Sequence, residues 1–366
     1  MRIIDKFIIK QFVSTAIFMV LGISVISVVI DTSERMDDFV KSGLSFWEIV
    51  STYYLGFVPF IISMIFPLMV FIAVIFFTSK MAARSEIVAM LAGGVQFRRV
   101  LLPYMIGAFL LSGTFWVATH FWIPKANILR TDFKSAYIDS KSSYEQSEFS
   151  KRPKYFYIAL DTNLYAGIVY YDSVSKSAAG GVFLNRLENR EIVYNLRSNG
   201  FKWDTLTNDW KLTQVVERYF DNEKELVIET PEMNIDLNIT PNDIRYDKYL
   251  KDKMTTPELI AYIDEQERRG AEGLNEFKVE RYRRDATPAS VFILTVIGMS
   301  VASRKTRGGS GLNMAIGIVL AAVFVVMDKF SLTFSTKGNL PPMLSAWTPN
   351  IIFSLVAFWL YKRAPK

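Results

Sequence analysis

The fold class this sequence predicts is an α-helical membrane protein with an inserted all-β domain: six transmembrane helices, three before the insertion and three after it. Two observations carry that reading. The 366 residues are 51% hydrophobic, yet 53 of the 78 charged side chains fall between Lys125 and Asp285, which leaves the flanks nearly free of charge. Those flanks hold six apolar runs, each of the roughly 18 or more residues that a helix needs to cross a bilayer core.

The first run, Gln11–Ile30, lies between Lys10 and Asp31, and the second, Ile49–Ser79, between Glu48 and Lys80. Val100–Pro124 follows between Arg99 and Lys125. After the insertion come Ala286–Ser303, Gly308–Met327 and Gly338–Tyr361. Pro59 and Pro67 in the long second run predict a kink or a tilt. The basic start (Arg2, Lys6, Lys10) raises a secretory signal as an alternative for the first run. That run is too long for such a signal, and Asp31-Thr32-Ser33-Glu34-Arg35 offers no small-x-small cleavage site, so it reads as a retained span. The division that follows is 1–124 for helices 1–3 with a cytoplasmic helix near 80–94, 125–254 for the β-domain, 255–285 for a connecting helical segment and 286–366 for helices 4–6.

Orientation comes from Lys and Arg in the short loops. One side collects thirteen: Arg2, Lys6 and Lys10; Lys80, Arg84, Arg98 and Arg99; Arg304, Lys305 and Arg307; and Lys362, Arg363 and Lys366. The other side has Arg35, Lys41 and Lys337 among Asp31, Glu34, Asp37, Asp38 and Glu48. The positive-inside rule places both termini in the cytoplasm and the insertion outside. The net charge of +6 is explained by this bias, and no nucleic-acid partner is needed.

From Lys154 onward, short runs rich in Tyr, Phe, Val and Ile appear: Tyr155–Leu160, Leu164–Tyr171, Gly181–Leu187, Ile192–Arg197, Trp210–Phe220 and Met233–Ile239. Asp161-Thr162-Asn163 and Asn222-Glu223 read as turns between them. Strands at this spacing predict an antiparallel sandwich or open barrel. Whether it is an ordinary folded cap or a groove for something apolar stays open at this point. Thr255-Thr256-Pro257-Glu258 predicts a helix start with Thr256 as N-cap and Pro257 in the first helical position, interrupted later by Gly270 and Gly273.

Chemistry-bearing patterns are sparse. With no cysteine and one histidine, His120, a thiolate or multi-histidine metal site is excluded and no metal or cofactor is expected. No G-x-x-x-x-G-K-[ST] loop occurs, so ATP is not bound in the P-loop manner and the chain does not read as an enzyme. His120, beside Phe121 and Trp122, reads as an interfacial residue. Asp328-Lys329 closes the fifth run and reads as snorkelling to the interface. The informative segment is Ser79–Gly94, where Ile87, Met90 and Leu91 recur at i, i+3 and i+4, Arg84 and Glu86 lie on other faces, and Gly93-Gly94 ends the helix. Such a helix lies in the interface or docks into a cytoplasmic partner.

Ser85-Glu86-Ile87-Val88-Ala89-Met90-Leu91-Ala92-Gly93-Gly94 resembles the coupling-helix segment of the lipopolysaccharide export permease family, the LptF/LptG type. Phe66-Pro67, Trp210-Lys211-Leu212, Asn238-Ile239-Thr240-Pro241, Thr256-Pro257-Glu258-Leu259 and Glu280–Pro288 resemble that family's segments in the same order, over essentially the whole chain. The resemblance leans toward the LptG-like side. It implies a permease that pairs with a second, LptF-like six-span permease in the bacterial inner membrane, binds a dimer of a separate cytoplasmic ABC ATPase, and extracts lipopolysaccharide. Its jelly-roll-like outer domain would hand the lipid to periplasmic bridge proteins.

The resemblance also implies roles for residues. Glu86 is the charged contact to the ATPase, with Arg84, Ile87 and Met90 beside it. Arg35 and Lys41, near the outer end of the first span, would contact lipid phosphate, although the surrounding acids depart from the family's pattern. Arg281 and Arg284 are further lipid-contact candidates, with internal pairing to Glu280 and Asp285 as the alternative. Asp328 sits where the family has a lateral gate. Two other functions fit the same topology: a permease for another lipid or lipoprotein, and a membrane-anchored envelope scaffold that transports nothing.

Overall fold

The computed structural model describes residues 3–364 except 139–154, 161–162, 170, 173–174, 179, 189–190, 206, 222–223, 238, 242–248, 270–272 and 304–308. Arg2, Arg304, Lys305, Arg307, Gly308 and Lys366, the turn residues Asp161, Thr162, Asn222 and Glu223, and Asn238 and Gly270 lie outside the described residues. The chain divides into a helical unit (Met1–Ser140, Tyr249–Ile260 and Asn275–Lys366) and a β unit (Lys141–Lys248 and Ala261–Leu274).

Among the described residues, six helical stretches are long and apolar enough to cross a membrane. The first is α1 (Ile3–Glu34), in which Ile8, Phe12, Ala16, Val20 and Ser24 are buried at four-residue intervals, one stripe along the helix. After α2 (Met36–Ser42), the second stretch joins α3 (Phe46–Ile49) to α4 (Leu55–Ala83) through a wide π turn at Val50–Tyr54. The short α5 (Glu86–Ala92) leads to the third. That stretch runs from α6 (Phe97–Val117) through a π turn at Ala118–Trp122 into α7 (Ile123–Phe133) and a last π turn at Lys134–Ile138. Past the β unit, α8 (Leu250–Lys253) and α9 (Thr256–Arg268) precede the last three: α10 (Asn275–Ala302), α11 (Gly309–Thr336) and α12 (Pro342–Lys362).

α4 and α10 form the centre. One apolar cluster packs Val70, Val74 and Phe77 of α4 with Phe12 of α1, Tyr104 of α6 and Val291 of α10. A second packs Phe71 and Ile75 of α4 with Leu294 and Ile297 of α10, Phe324 of α11 and Phe353 of α12. A β-carbon at Gly107 would lie 2.6 Å from Cδ1 of Phe12, so the missing side chain is what lets α1 and α6 approach. Hydroxyl and amide groups bridge helices where water is excluded. Ser331 and Ser345 each donate to the other's carbonyl at 2.7 Å, Asn350 donates to the Ala286 carbonyl at 2.6 Å, and Ser112 to the Pro288 carbonyl at 2.8 Å.

The third and fifth helices run past the apolar stretches that announce them. Charge begins at Lys125 and at Asp328, yet helix continues to Ile138 and Thr336. The reason is local: Arg130 is buried with its guanidinium 3.7 Å from the Phe60 ring centroid, and Asp328 holds Arg283 at 3.2 Å. α9 starts one residue earlier than its sequence suggests. The Thr255 carbonyl accepts from Leu259 at 2.8 Å and the Thr255 N–H donates to the Glu258 carboxylate at 2.8 Å, so Thr255 is the cap. Thr256 instead lies inside the helix, where its hydroxyl accepts from Arg284 at 3.1 Å.

The β unit is one antiparallel sheet of eight strands among the described residues: β1 (Tyr155–Ala159), β2 (Leu164–Val169), β3 (Tyr171–Asp172), β4 (Ser177–Ala178), β5 (Val182–Glu188), β6 (Glu191–Asp204), β7 (Asp209–Asp221) and β8 (Lys224–Ile235). The order β1-β2-β5-β6-β4-β3 is extended by β7 on β6 and β8 on β7. Trp210 is the centre of its core. It is fully buried, stacks on Phe201 at 4.1 Å between ring centroids, and donates from Nε1 to the Ile239 carbonyl at 2.7 Å. β8 begins at Lys224, nine residues before the alternating pattern shows it. Leu226, Val227 and Ile228 are all exposed, so no inward face marks that half of the strand, and the register is set by β7.

Candidate functional site

α5 stands at the end of the helical unit that also carries the first residues of α1 and the last of α12; this is the basic end. Ile87 is fully buried among Ala82, Phe97 and neighbouring residues, and Met90 and Leu91 pack partly against the same cluster. Its C-terminus closes by a Schellman motif: Gly94 N–H donates to Leu91 O at 3.0 Å and Val95 N–H to Met90 O at 3.1 Å, with Gly94 at φ +84°. Ser85, at φ +62°, turns the chain out of α4 into α5. What remains outward is Val88, Ala89 and Ala92, with Glu86 and Arg84 at the rim.

Glu86 and Arg84 approach only to 4.0 Å, with side chains 40% and 64% exposed. A pair that open adds little stability, which leaves both charges available to a partner. Ile87, by contrast, fastens the helix to its base and presents nothing outward. Beneath it, Asp5 of α1 and Arg99 of α6 form a bidentate pair at 2.9 and 2.8 Å, tying two helix ends together at this level. Sequence reading counted Arg99 as a loop charge and passed over Asp5, since nothing local relates residues so far apart in the chain.

At the opposite end, where the insertion joins, Arg35 Nε donates to Asp31 Oδ1 at 2.8 Å and the buried Tyr53 hydroxyl donates to the same oxygen at 3.1 Å. Asp31 is thus buried and paired, and does not stand open beside Arg35. Lys41 is exposed on α2. Arg281 lies with its guanidinium 5.4 Å from the Tyr282 ring centroid. Arg284 is buried and spends its donors inside the chain, on Glu280 at 3.3 Å, the Thr256 hydroxyl and the Lys251 carbonyl at 2.9 Å. Asp285 takes the Trp116 indole N–H at 2.9 Å and lies 3.3 Å from His120 Nε2. His120 is accordingly buried between α10 and Trp116, on which it stacks at 4.1 Å, and does not face out of the helical unit.

Asp328 does not snorkel away from the bundle. It crosses to Arg283 and so joins α11 to α10, while Lys329 next to it is exposed. Asp328 is the candidate whose partner, Arg283, sequence reading missed; both residues stand out as charges beside apolar runs, but neither names the other. No group of three or more His, Cys, Asp or Glu among the described residues is arranged to hold a metal ion.

The faces left uncovered are as informative as these contacts. α1 and α11 have 17% and 22% of their most apolar windows buried, against 61% for α10. Phe18, Val25 and Val29 of α1 and Val319, Phe330 and Phe334 of α11 are exposed. Two large apolar helix surfaces of this kind meet lipid or another membrane helix.

Comparison with known proteins places this architecture. The chain is 23% identical to the lipopolysaccharide export system permease protein LptG of Escherichia coli strain K12, over 99% of this chain and 98% of that protein. It has the same identity and coverage with the protein of that name from Escherichia coli O6:H1 strain CFT073. The family model for the lipopolysaccharide export system permease LptF/LptG matches residues 6–363. Three helices, an inserted antiparallel sheet and three further helices, matched from one end to the other, establish that this chain belongs to the LptF/LptG permease family.

Proposed function

We propose that this chain is the LptG-like half of an ABC-type transporter that extracts lipopolysaccharide from the bacterial inner membrane and passes it to a periplasmic bridge. The observation that carries the reading is α5: a short helix locked to the helical unit by Ile87 and presenting Glu86, Arg84 and a small apolar face outward, in a chain of this permease family. A dimer of a separate ATPase docks there, and its closure moves α4 and α6 through α5. A second, LptF-like six-span permease covers the exposed faces of α1 and α11, and lipid enters between them. The basic end faces the cytoplasm and the β unit faces the periplasm, in keeping with the distribution of Lys and Arg. ATP is hydrolysed by the separate subunit.

Glu86→Lys tests the assignment. The expected result is loss of ATPase-coupled lipid export, with the variant still inserted in the membrane at native abundance, because a charge-assisted contact becomes a repulsion. Unimpaired export in that variant would remove α5 as the coupling element. Export of a different lipid by the purified complex would keep the coupling and replace the cargo.

A further inference from the structure

Two cavities lie in the half of the helical unit nearer the insertion, with volumes of about 110 and 190 Å³. They share Met64 of α4, Arg283 and Thr287 of α10, and Lys329 of α11 as common wall. The smaller is lined largely by apolar side chains, among them Ile65, Leu68, Ala286, Phe324 and Ala346. The larger is more polar, with Asn127, Asp252, Glu280, Arg284 and Thr119 beside Phe60 and Ile123. Joined cavities of this kind have the profile of an amphiphile, a polar head beside an apolar root.

The charges in the cleft narrow the class of amphiphile. Arg284 is committed to Glu280, Thr256 and the Lys251 carbonyl, and Lys251 itself pairs with Glu276 at 2.8 Å. Arg283 holds Asp328 at 3.2 Å. Arg130 lies behind Asp252, stacked on Phe60, with its Nε donating to Asn127 at 3.3 Å. Two groups are left over among the described residues. Lys329 makes no ion pair, and the Asp252 carboxylate makes no hydrogen bond or ion pair, although Lys251, Arg130 and Arg284 act on it through space.

A cation with no ion pair and a carboxylate that accepts no hydrogen bond, in a cleft whose other carboxylates, Glu280 and Asp328, each hold an arginine, match a ligand carrying one charge of each sign. A purely anionic head would satisfy Lys329 and face Asp252 and Glu280 unfavourably. An uncharged head would leave the half-buried Asp252 carboxylate without compensation and make no use of the Lys329 ammonium. We propose that the joined cavities bind one zwitterionic glycerophospholipid: its phosphate on Lys329 and the free edge of Arg283, its ammonium on Asp252, and the root of an acyl chain against Leu68 and Phe324. The site lies wholly within this chain and does not depend on what the transporter exports. A resident lipid there would brace α11 against α4 and α10, beside the Arg283–Asp328 pair.

The test is lipid retention. The full-length chain, with whatever subunits accompany it, is reconstituted in nanodiscs of equal parts phosphatidylethanolamine and phosphatidylglycerol, released, and read by native mass spectrometry. The expected result is preferential retention of phosphatidylethanolamine, reduced roughly ten-fold in both Lys329→Gln and Asp252→Asn, the scale of losing one charge-assisted hydrogen bond. Lys329→Arg should retain it, which separates loss of the charge from loss of the fold. Equal retention of phosphatidylglycerol, or unchanged retention of phosphatidylethanolamine in either charge-removing variant, overturns the proposal. Lipopolysaccharide held in place of phospholipid in native-membrane preparations also overturns it. None of these readouts requires ATP hydrolysis or export, so the transport reading can fail while this one stands, and the reverse.

Discussion

Asp252 shows how one residue can cost the fold something and still be kept. Burial, and after it the nearby Glu280, pushes its carboxyl up from the ordinary 3.8 to about 6. Because the folded pKa lies above the unfolded one, the native state holds the proton more tightly. Stability from this group is therefore greatest below about pH 4 and falls as pH rises through about 6. Asp252→Asn removes that dependence. In detergent free of phospholipid, the thermal midpoint of the variant should match the native chain near pH 4 and exceed it progressively up to pH 7. Parallel pH profiles for the two proteins would mean that the carboxylate is not penalised by its site. Glu258 runs the other way: the Thr255 hydroxyl and N–H hold its carboxyl below the usual range, so its capping contribution is lost only in acid.

At the scale of elements, α5 is too short to be stable by itself and depends on its ends. Gly94 is the critical residue, since its φ of +84° is one that a β-carbon disfavours, while no atom lies within 4 Å of where that carbon would sit. Gly94→Ala should cost about 1 kcal/mol of local stability through the backbone alone. Hydrogen exchange of the amides of residues 89–95 should rise without change in α4 or α6; unchanged protection would show that Ile87 alone holds the helix. α5 was legible in the sequence because its signals are local: an apolar face at helical spacing and two terminal glycines. The six spans were legible for the same reason, as were most strands. What was not legible depends on partners distant in the chain. Arg130 and Lys125 look like the end of a span until Phe60 and Tyr249 are seen beside Arg130. Asp328 looks like an interfacial anchor until Arg283, 45 residues away, is found across from it. The first half of β8 carries no alternation because both of its faces are exposed, and Ile87, read as part of a contact surface, proves to be the helix's anchor. The cleft was invisible for a stronger reason, since its walls come from α4, the α6–α7 stretch, α8, α10, α11 and α12, and no window of sequence contains it.

For the whole molecule, the arrangement of charge and the arrangement of helices make one claim together, and it can be tested directly. The helices alternate in direction, so the N-terminal residues, α5 and the end of α12 share one end of the helical unit, while α2 and the chain connections to the β unit share the other. An orientation that put the basic end outside would move thirteen short-loop Lys and Arg across the bilayer, against the bias that sets topology. It would also turn α5 away from any cytoplasmic ATPase, so coupling and topology stand or fall together. Because the native chain has no cysteine, single cysteines report without background. Val40 on α2 is 73% exposed, and Lys362 ends α12 on the basic side. In spheroplasts, a membrane-impermeant maleimide should modify Val40→Cys at once and Lys362→Cys only after lysis. The opposite pattern would invert the protein and separate α5 from the cytoplasm. Modification of both before lysis would require an even number of crossings between them, which the five intervening spans cannot supply unless one of the apolar helices lies outside the bilayer, where its exposed apolar face would meet water.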